Sequence, residues 1–399
     1  MQYIIEYGTT AEDGVRMPSC GLLWEHGIRR EWLATLTGQD KNCLFSAGEG
    51  EGSDFDQDLF ALVFFFLSRY EEYLPFRGDA LGRFCAGDSL AYQKNILQIP
   101  LVDNAIQWIR SKLEEKFDLM LPSPVQQFCI RPTLDVDQIW AYHRKGWKNI
   151  GGGLRDLLSW NIPAIKNRWR AWQDVSMDPF HTWVLLDEIH QQCDIRPIFF
   201  MLLAPEGSRL DKNHSPFDPE VQRQILHIAE KNEIGLHPSS QSRQNGLQLM
   251  REKKILEQIT GREVKRSRMH YLLMSLPGTY RMLLDCGLEH DFTMGFHDAV
   301  GYRAGTGYDF YWYDLERECQ TRLRVTPFQV MDVSLKVHLK LQPHHAMAIV
   351  SDMIETARHY DSPLTTIWHN SSFYDRHGWA GWERVYREII AKNTADASG

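Results

Sequence analysis

The pattern of apolar and polar residues changes near residue 124. Before it, Tyr3 to Tyr7 reads as a short strand, and the Leu- and Phe-rich stretch Asp56 to Tyr73 reads as one helix. Ile106, Ile109 and Leu113 recur at spacings of three and four and predict a second helix over Ile106 to Phe117. Leu121-Pro122-Ser123-Pro124 then interrupts regular structure, since closely spaced prolines stop helices and sheets alike. The expectation is a small α/β accessory domain over residues 1–124.

Beyond that point short apolar runs alternate with helical patterns. Strands are predicted at Cys129 to Val136, Arg196 to Leu203, Glu233 to His237, Val264 to Leu272, Asp291 to Phe296, Phe328 to Met331 and Leu364 to Trp368. Asp218-Pro219-Glu220 opens a helix with Val221, Ile225 and Ile228 on its apolar face. Leu247 to Ile259 forms another, closed by Gly261, and Gly278 to Cys286 and His344 to Tyr360 fill two further gaps. Such alternation implies a parallel sheet, open or closed into a barrel, over residues 125–399. Ala141 to Val175 is too long for an ordinary connection and reads as a helical insertion. It is basic and carries Trp147, Trp160, Trp169 and Trp172, which either pack on the barrel or face a sugar groove or membrane surface.

Composition narrows the functions. A hydrophobic share of 43% and a charged share of 24% suit an ordinary globular chain. A net charge of -8 speaks against a nucleic-acid partner. The seven cysteines are scattered without a C-x-x-C pair, as expected of free thiols in a reducing compartment. The N-terminal residues lack a secretory pattern, and the longest apolar run, Ala61 to Leu67, is far short of the roughly 20 residues a membrane span needs. The expected location is the cytoplasm.

The candidate chemistry lies at the predicted strand ends. In Thr133-Leu-Asp135-Val-Asp137 the two acids are two apart and so share a strand face. They would project from the carboxyl end of a strand, where parallel α/β folds place their sites. Carboxylates so close need a cation or a shared proton between them, unless they cap the next helix. His237, Arg268 with His270 and Tyr271, and His369 occupy three further strand ends.

These motifs resemble the polysaccharide deacetylase family (NodB homology, carbohydrate esterase family four) over about Ile130 to Ile390. Thr133 to Asp137 is similar to its T-F-D-D motif, Phe199-Phe200 to its second strand, His237 to the first His of H-S/T-x-x-x-H, Arg268 to Tyr271 to its R-x-P-Y motif, and Ile367-Trp-His369 to L-x-H. G-L-H-P-S, G-Y-R-A-G and W-H-N-x-S-F resemble a bacterial subgroup with an extra N-terminal unit. The resemblance implies a deformed (β/α)7 barrel behind a smaller N-terminal α/β domain. It also implies a divalent metal, zinc first among them, on Asp137, His237 and a further His. The second family His would fall at Gln241, a poor ligand, and His270 is its natural replacement. Asp135 is then the general base, Arg268 its partner, and His369 the acid for the leaving amine. Asp332 would orient His369 or cap a helix. Arg303 and Tyr271 would contact substrate, unless Arg303 pairs internally with Asp291.

Three functions follow. The first removes an N-acyl group from an amino-sugar-containing glycan or glycan precursor. The second is a metal-free, inactive glycan-binding or scaffold protein, which Gln241 favours. The third is a glycosidase, which needs its two acids about 5 Å or more apart across the bond rather than side by side.

Overall fold

The computed structural model describes residues 5–8, 14–38, 40–41, 43–46, 53–122, 127–144, 162–374 and 378–393. Near the N-terminus, strands β1 (Ile5–Tyr7) and β2 (Val15–Met17) pair in parallel, and the helices Glu31–Gly38, Leu59–Ser68 and Leu101–Phe117 pack beside them. Their apolar side chains, with Phe65, Phe66 and Val102 fully buried, form a hydrophobic cluster of their own.

The helix predicted over Asp56 to Tyr73 is shorter. Asp58 caps it by accepting from the Ala61 N–H at 2.9 Å, and Arg69 ends it in the left-handed conformation (φ 57°). The reason is electrostatic: the Arg69 guanidinium is buried and bonds Glu72 at 2.7 Å and Glu71 at 2.8 Å on the following 3-10 turn, Tyr70–Tyr73. The second helix begins five residues earlier than the spacing predicts, because Leu101 to Ala105 continue it after Pro100. Of the insertion, residues 145–161, and with them Trp147 and Trp160, lie outside the described residues. Trp169 and Trp172, on the helix Ile162–Gln173, are exposed.

The remaining strands are β3 (Ile130–Val136), β4 (Ile198–Leu202), β5 (Glu233–His237), β6 (Arg266–Ser267), β7 (His290–Asp291), β8 (Phe310–Asp314), β9 (Cys319–Val325), β10 (Val330–Met331) and β11 (Leu364–His369). They form one sheet in the order β10-β11-β3-β4-β5-β6-β7-β9-β8. Every neighbour is parallel except β8 and β9, an antiparallel hairpin that the strand pattern does not anticipate.

The order looks open, but the hydrogen bonds close it. β9 pairs with β7, Thr326 N–H donates to Asp291 O, and Phe328 N–H donates to Met294 O beyond β7. One residue later Gln329 N–H donates to Thr365 O, and β10 pairs with β11. A single stretch, Cys319 to Met331, therefore serves both neighbours and changes sides around Pro327. Counting it once leaves seven parallel strands in a ring, a deformed (β/α)7 barrel.

Alternation sorts the barrel's side chains. Leu134, Val136, Phe199, Met201 and Leu236 face outward and pack in one cluster with Val221, Ile225, Ile228, Leu249 and Leu256. The last five come from the helices Pro219–Lys231 and Gly246–Thr260, capped by Asp218 and Asn245 as their sequences favour. Thr133, Asp135, Phe200 and Arg268 turn inward. Gly235 lies across from Phe200, and a Cβ there would sit 2.5 Å from the ring. The missing side chain is what lets the aromatic ring fill the interior below the site.

Candidate metal centre and active site

Each candidate residue sits where a strand ends. Asp135 lies within β3 and Asp137 one residue past it; His237 ends β5; Arg268 follows β6; Asp332 follows β10; His369 ends β11. Because all these strands are parallel, their carboxyl ends share one mouth. Asp135 is also the direct register partner of His369.

The segment around His270 departs from expectation. The predicted strand Val264 to Leu272 is regular only at Arg266–Ser267, and His270–Leu272 forms a 3-10 turn. There His270 N–H donates to Pro238 O at 3.0 Å, and Tyr271 and Leu272 take φ values of 56° and 55°. That bend turns the His270 ring toward β5, with its centroid 5.0 Å from that of His237.

Three possible ligands converge. Asp137 Oδ1 lies 3.3 Å from His237 Nε2 and 3.5 Å from His270 Nε2. It is buried without a hydrogen-bond partner among the described residues, an unusual condition for a carboxylate oxygen. His237 Nδ1 is 2.5 Å from the Arg268 carbonyl oxygen. A carbonyl only accepts, so Nδ1 carries the proton and Nε2 keeps its lone pair. His270 Nδ1 donates to Asp211 at 2.9 Å, again leaving Nε2 toward Asp137. These are the orientations a cation demands: two imidazole nitrogens and one carboxylate oxygen, each ring fixed from behind. Asp137, His237 and His270 fit a divalent metal of borderline softness.

Asp211 is absent from the sequence reading. It is buried and accepts from Ser240 N–H at 2.8 Å, Ser240 Oγ at 2.6 Å and Ser208 Oγ at 2.7 Å besides His270. Burial opposes its ionisation, but these donors hold its carboxyl well below the usual range. Burial likewise acts to lower His270, yet Asp137 and Asp211 outweigh it and raise the imidazole to about 9, so a cation on these three atoms would take the place of the Nε2 proton. Gln241, which the resemblance put in place of a ligand His, points away and donates to Glu206 O at 2.8 Å.

Beside this cluster, Arg268 is fully buried and satisfied on every side. It donates to Asp135 Oδ1 at 2.7 Å, Thr133 Oγ1 at 2.7 Å and Phe292 O at 3.0 Å, over the Phe200 ring. The other oxygen, Asp135 Oδ2, faces His237 Nε2 at 3.8 Å. On the opposite wall Asp332 Oδ1 lies 2.9 Å from His369 Nδ1, and Oδ2 accepts the His369 N–H at 2.9 Å and the Ser372 hydroxyl. Burial acts to lower His369, but Asp332 prevails and raises it to about 10. Asp332 thus orients His369; it also takes the Val333 N–H at 2.7 Å.

Asp135, Asp137, His237, His270, Tyr271 and His369 line a cavity of about 390 Å³, while Arg268, Asp211 and Asp332 stand behind them. Arg303 is not among its lining residues. Its guanidinium is spent on Glu72, at 2.8 and 2.6 Å, and on Gly295 O at 2.9 Å, so it neither faces the cavity nor pairs with Asp291. A second group with ligand atoms close together is Cys85, His297 and Asp298. There the Cys85 thiol is pushed up to about 11 by burial and by Asp298, which makes it a reluctant ligand, and Asp298 already takes the Ala86 N–H at 3.2 Å.

Residues 1–118 match the model of a family described as a family of unknown function (DUF7033). No curated protein matches the chain. Solved structures similar to it include a candidate polysaccharide deacetylase from Mycobacterium smegmatis, at 13% identity and a TM-score of 0.44, covering 69% of this chain and 87% of that one. A second is Puue allantoinase, at 10% identity and a TM-score of 0.41 over 69% and 88% of the two chains. A third is the polysaccharide deacetylase Bc1974 from Bacillus cereus, at 11% identity and a TM-score of 0.35 over 68% and 89%.

Proposed function

We propose that the protein is a metal-dependent hydrolase that removes an acyl group from the nitrogen of an amino sugar in a glycan or glycan precursor. The observation that carries this reading is the partnerless Asp137 Oδ1 facing two imidazole nitrogens, with a clamped carboxylate and a carboxylate-backed imidazole beside it. Asp137, His237 and His270 would hold the metal, with zinc the first candidate. When bound, a divalent metal acidifies water and polarises the acyl carbonyl.

The remaining roles belong to side chains. Asp135 takes the proton from the attacking water as its oxygen bonds to the acyl carbon. Arg268 keeps Asp135 ionised and fixes the direction of its oxygens. His369, with Nδ1 held by Asp332, presents Nε2–H to the cavity and protonates the amine as the C–N bond breaks. Tyr271 contacts substrate at the rim. We read residues 1–124 as the accessory domain and 125–399 as the catalytic barrel; the matched family region ends at 118.

The test is metal content by mass spectrometry on the purified protein, together with turnover of acetylated amino-sugar oligomers. We expect one metal per chain, and Asp135→Asn should keep it while losing at least about 100-fold in kcat. A protein that takes up no divalent metal would instead be the inactive, glycan-binding form.

A further inference from the structure

One wall of the cavity is not built by the barrel. Leu81 and Arg83 line it, from the turn that Asp79 closes in the N-terminal part of the chain. The turn is tightly specified. Asp79 Oδ1 accepts the Leu81 and Arg83 N–H groups, each at 2.9 Å, and Asp79 Oδ2 takes Arg83 Nε at 2.9 Å and an Nη at 2.7 Å. From the barrel side, Arg243 donates to Leu81 O at 2.7 Å.

With one edge of its guanidinium, Nε and an Nη, fixed on Asp79 Oδ2, Arg83 turns its other Nη to the carbonyl of Tyr271 and donates to it at 2.9 Å. Tyr271 directly follows His270 and begins the pair of left-handed residues that bends the segment inward. A non-glycine residue in that conformation costs about 1 kcal/mol, so two in succession need outside support. The backbone bonds of Met269–Leu272 are otherwise local or run to Pro238 and Thr293, all in the barrel; the Arg83 bond ties the bend to the N-terminal part of the chain.

We propose that the Asp79–Arg83 turn is a working part of the active site, and that Arg83 is a positioning residue which holds the Met269–Leu272 bend so that His270 faces Asp137 and His237. The accessory domain then supplies one wall of the substrate cavity and part of the metal site's rigidity. This rests on the reading that those three residues bind a metal.

The experiment titrates cobalt(II) into the metal-free full-length protein and follows affinity and the visible absorption of the bound ion. Wild type, Arg83→Ala and Arg83→Lys are compared. Loss of support around a ligand costs about 10-fold or more in affinity. We expect that loss in Arg83→Ala, with an altered cobalt spectrum. Arg83→Lys should fall between, since an ammonium reaches the carbonyl but cannot bridge it to Asp79. If Arg83→Ala does not fold, Arg83→Lys alone decides. Cobalt affinity within twofold of wild type and an unchanged spectrum in a folded variant would overturn the positioning role while leaving the metal site intact. Failure of the wild type to bind cobalt sinks the metal reading itself and this inference with it.

Discussion

At the scale of single residues, the site pairs each working group with a fixed partner. Asp135 has Arg268, His270 has Asp211, and His369 has Asp332. The last pair makes a prediction about pH. The Asp332 carboxylate raises His369 to about 10, so the acid form persists through neutral pH and is lost only as pH climbs past that value. Removing the negative charge in Asp332→Asn lowers the imidazole, so the alkaline limb of kcat/KM should move to lower pH, with lower activity at pH 8. A limb that stays in place would separate His369 from the proton transfer. The strand-end residues were legible because a polar side chain at the end of an apolar strand stands out against its neighbours. Asp211 was not, because it lies in an irregular loop where an acid is unremarkable. Arg303 misled because its partner, Glu72, is 231 positions away and no local pattern points to it.

Elements set how closely those residues approach. Regular strands and capped helices were legible from period and punctuation: Asp218 and Gly261 mark helix ends that the structure keeps. The misses are places where the backbone leaves regular geometry around a buried or distant arginine contact: at Arg69 it turns to close ion pairs with Glu71 and Glu72, and at Tyr271 it meets Arg83 from the other part of the chain. The β8–β9 hairpin went unseen for another reason: its aromatic and charged residues alternate weakly, and only β9 joins the ring while β8 pairs outside it. Gly235 gives the prediction at this scale. Phe200 is held between the strand and the Arg268 guanidinium, 4.4 Å above its ring, and cannot yield to a new methyl group. Gly235→Ala should lose about 2 kcal/mol in urea unfolding, the usual cost of overpacking. Unchanged stability would show that the ring has room to shift.

The whole molecule is tied together by arginines crossing between its N-terminal part and the barrel. Arg303 of the barrel grips Glu72, Arg69 donates to the Arg303 carbonyl, Arg243 grips Leu81, and Arg83 reaches back to Tyr271. Phe296 and Leu315, beyond residue 124, pack in the N-terminal cluster. Burial works against the Glu72 charge, but Arg303 and Arg69 hold its carboxyl down to about 2. Taking away one member of such a buried set typically costs about 3 kcal/mol or more, because the remaining charge is stranded. Arg303→Ala should therefore unfold at markedly lower denaturant, and protease should cut the N-terminal part first. Wild-type resistance would mean that the apolar contacts alone suffice. No helix among the described residues is long and apolar enough to cross a membrane.

The ring of strands has one joint, where the chain around Pro327 lets go of β7 and takes hold of β11. Asp332 leaves β10 two residues after Val330, just past that joint, whereas His369 ends β11, which pairs with β3 along six residues and sets the imidazole beside Asp135. If the cylinder parts at that joint, His369 stays with the carboxylates of β3, and what it stands to lose is the Asp332 carboxylate that fixes its ring.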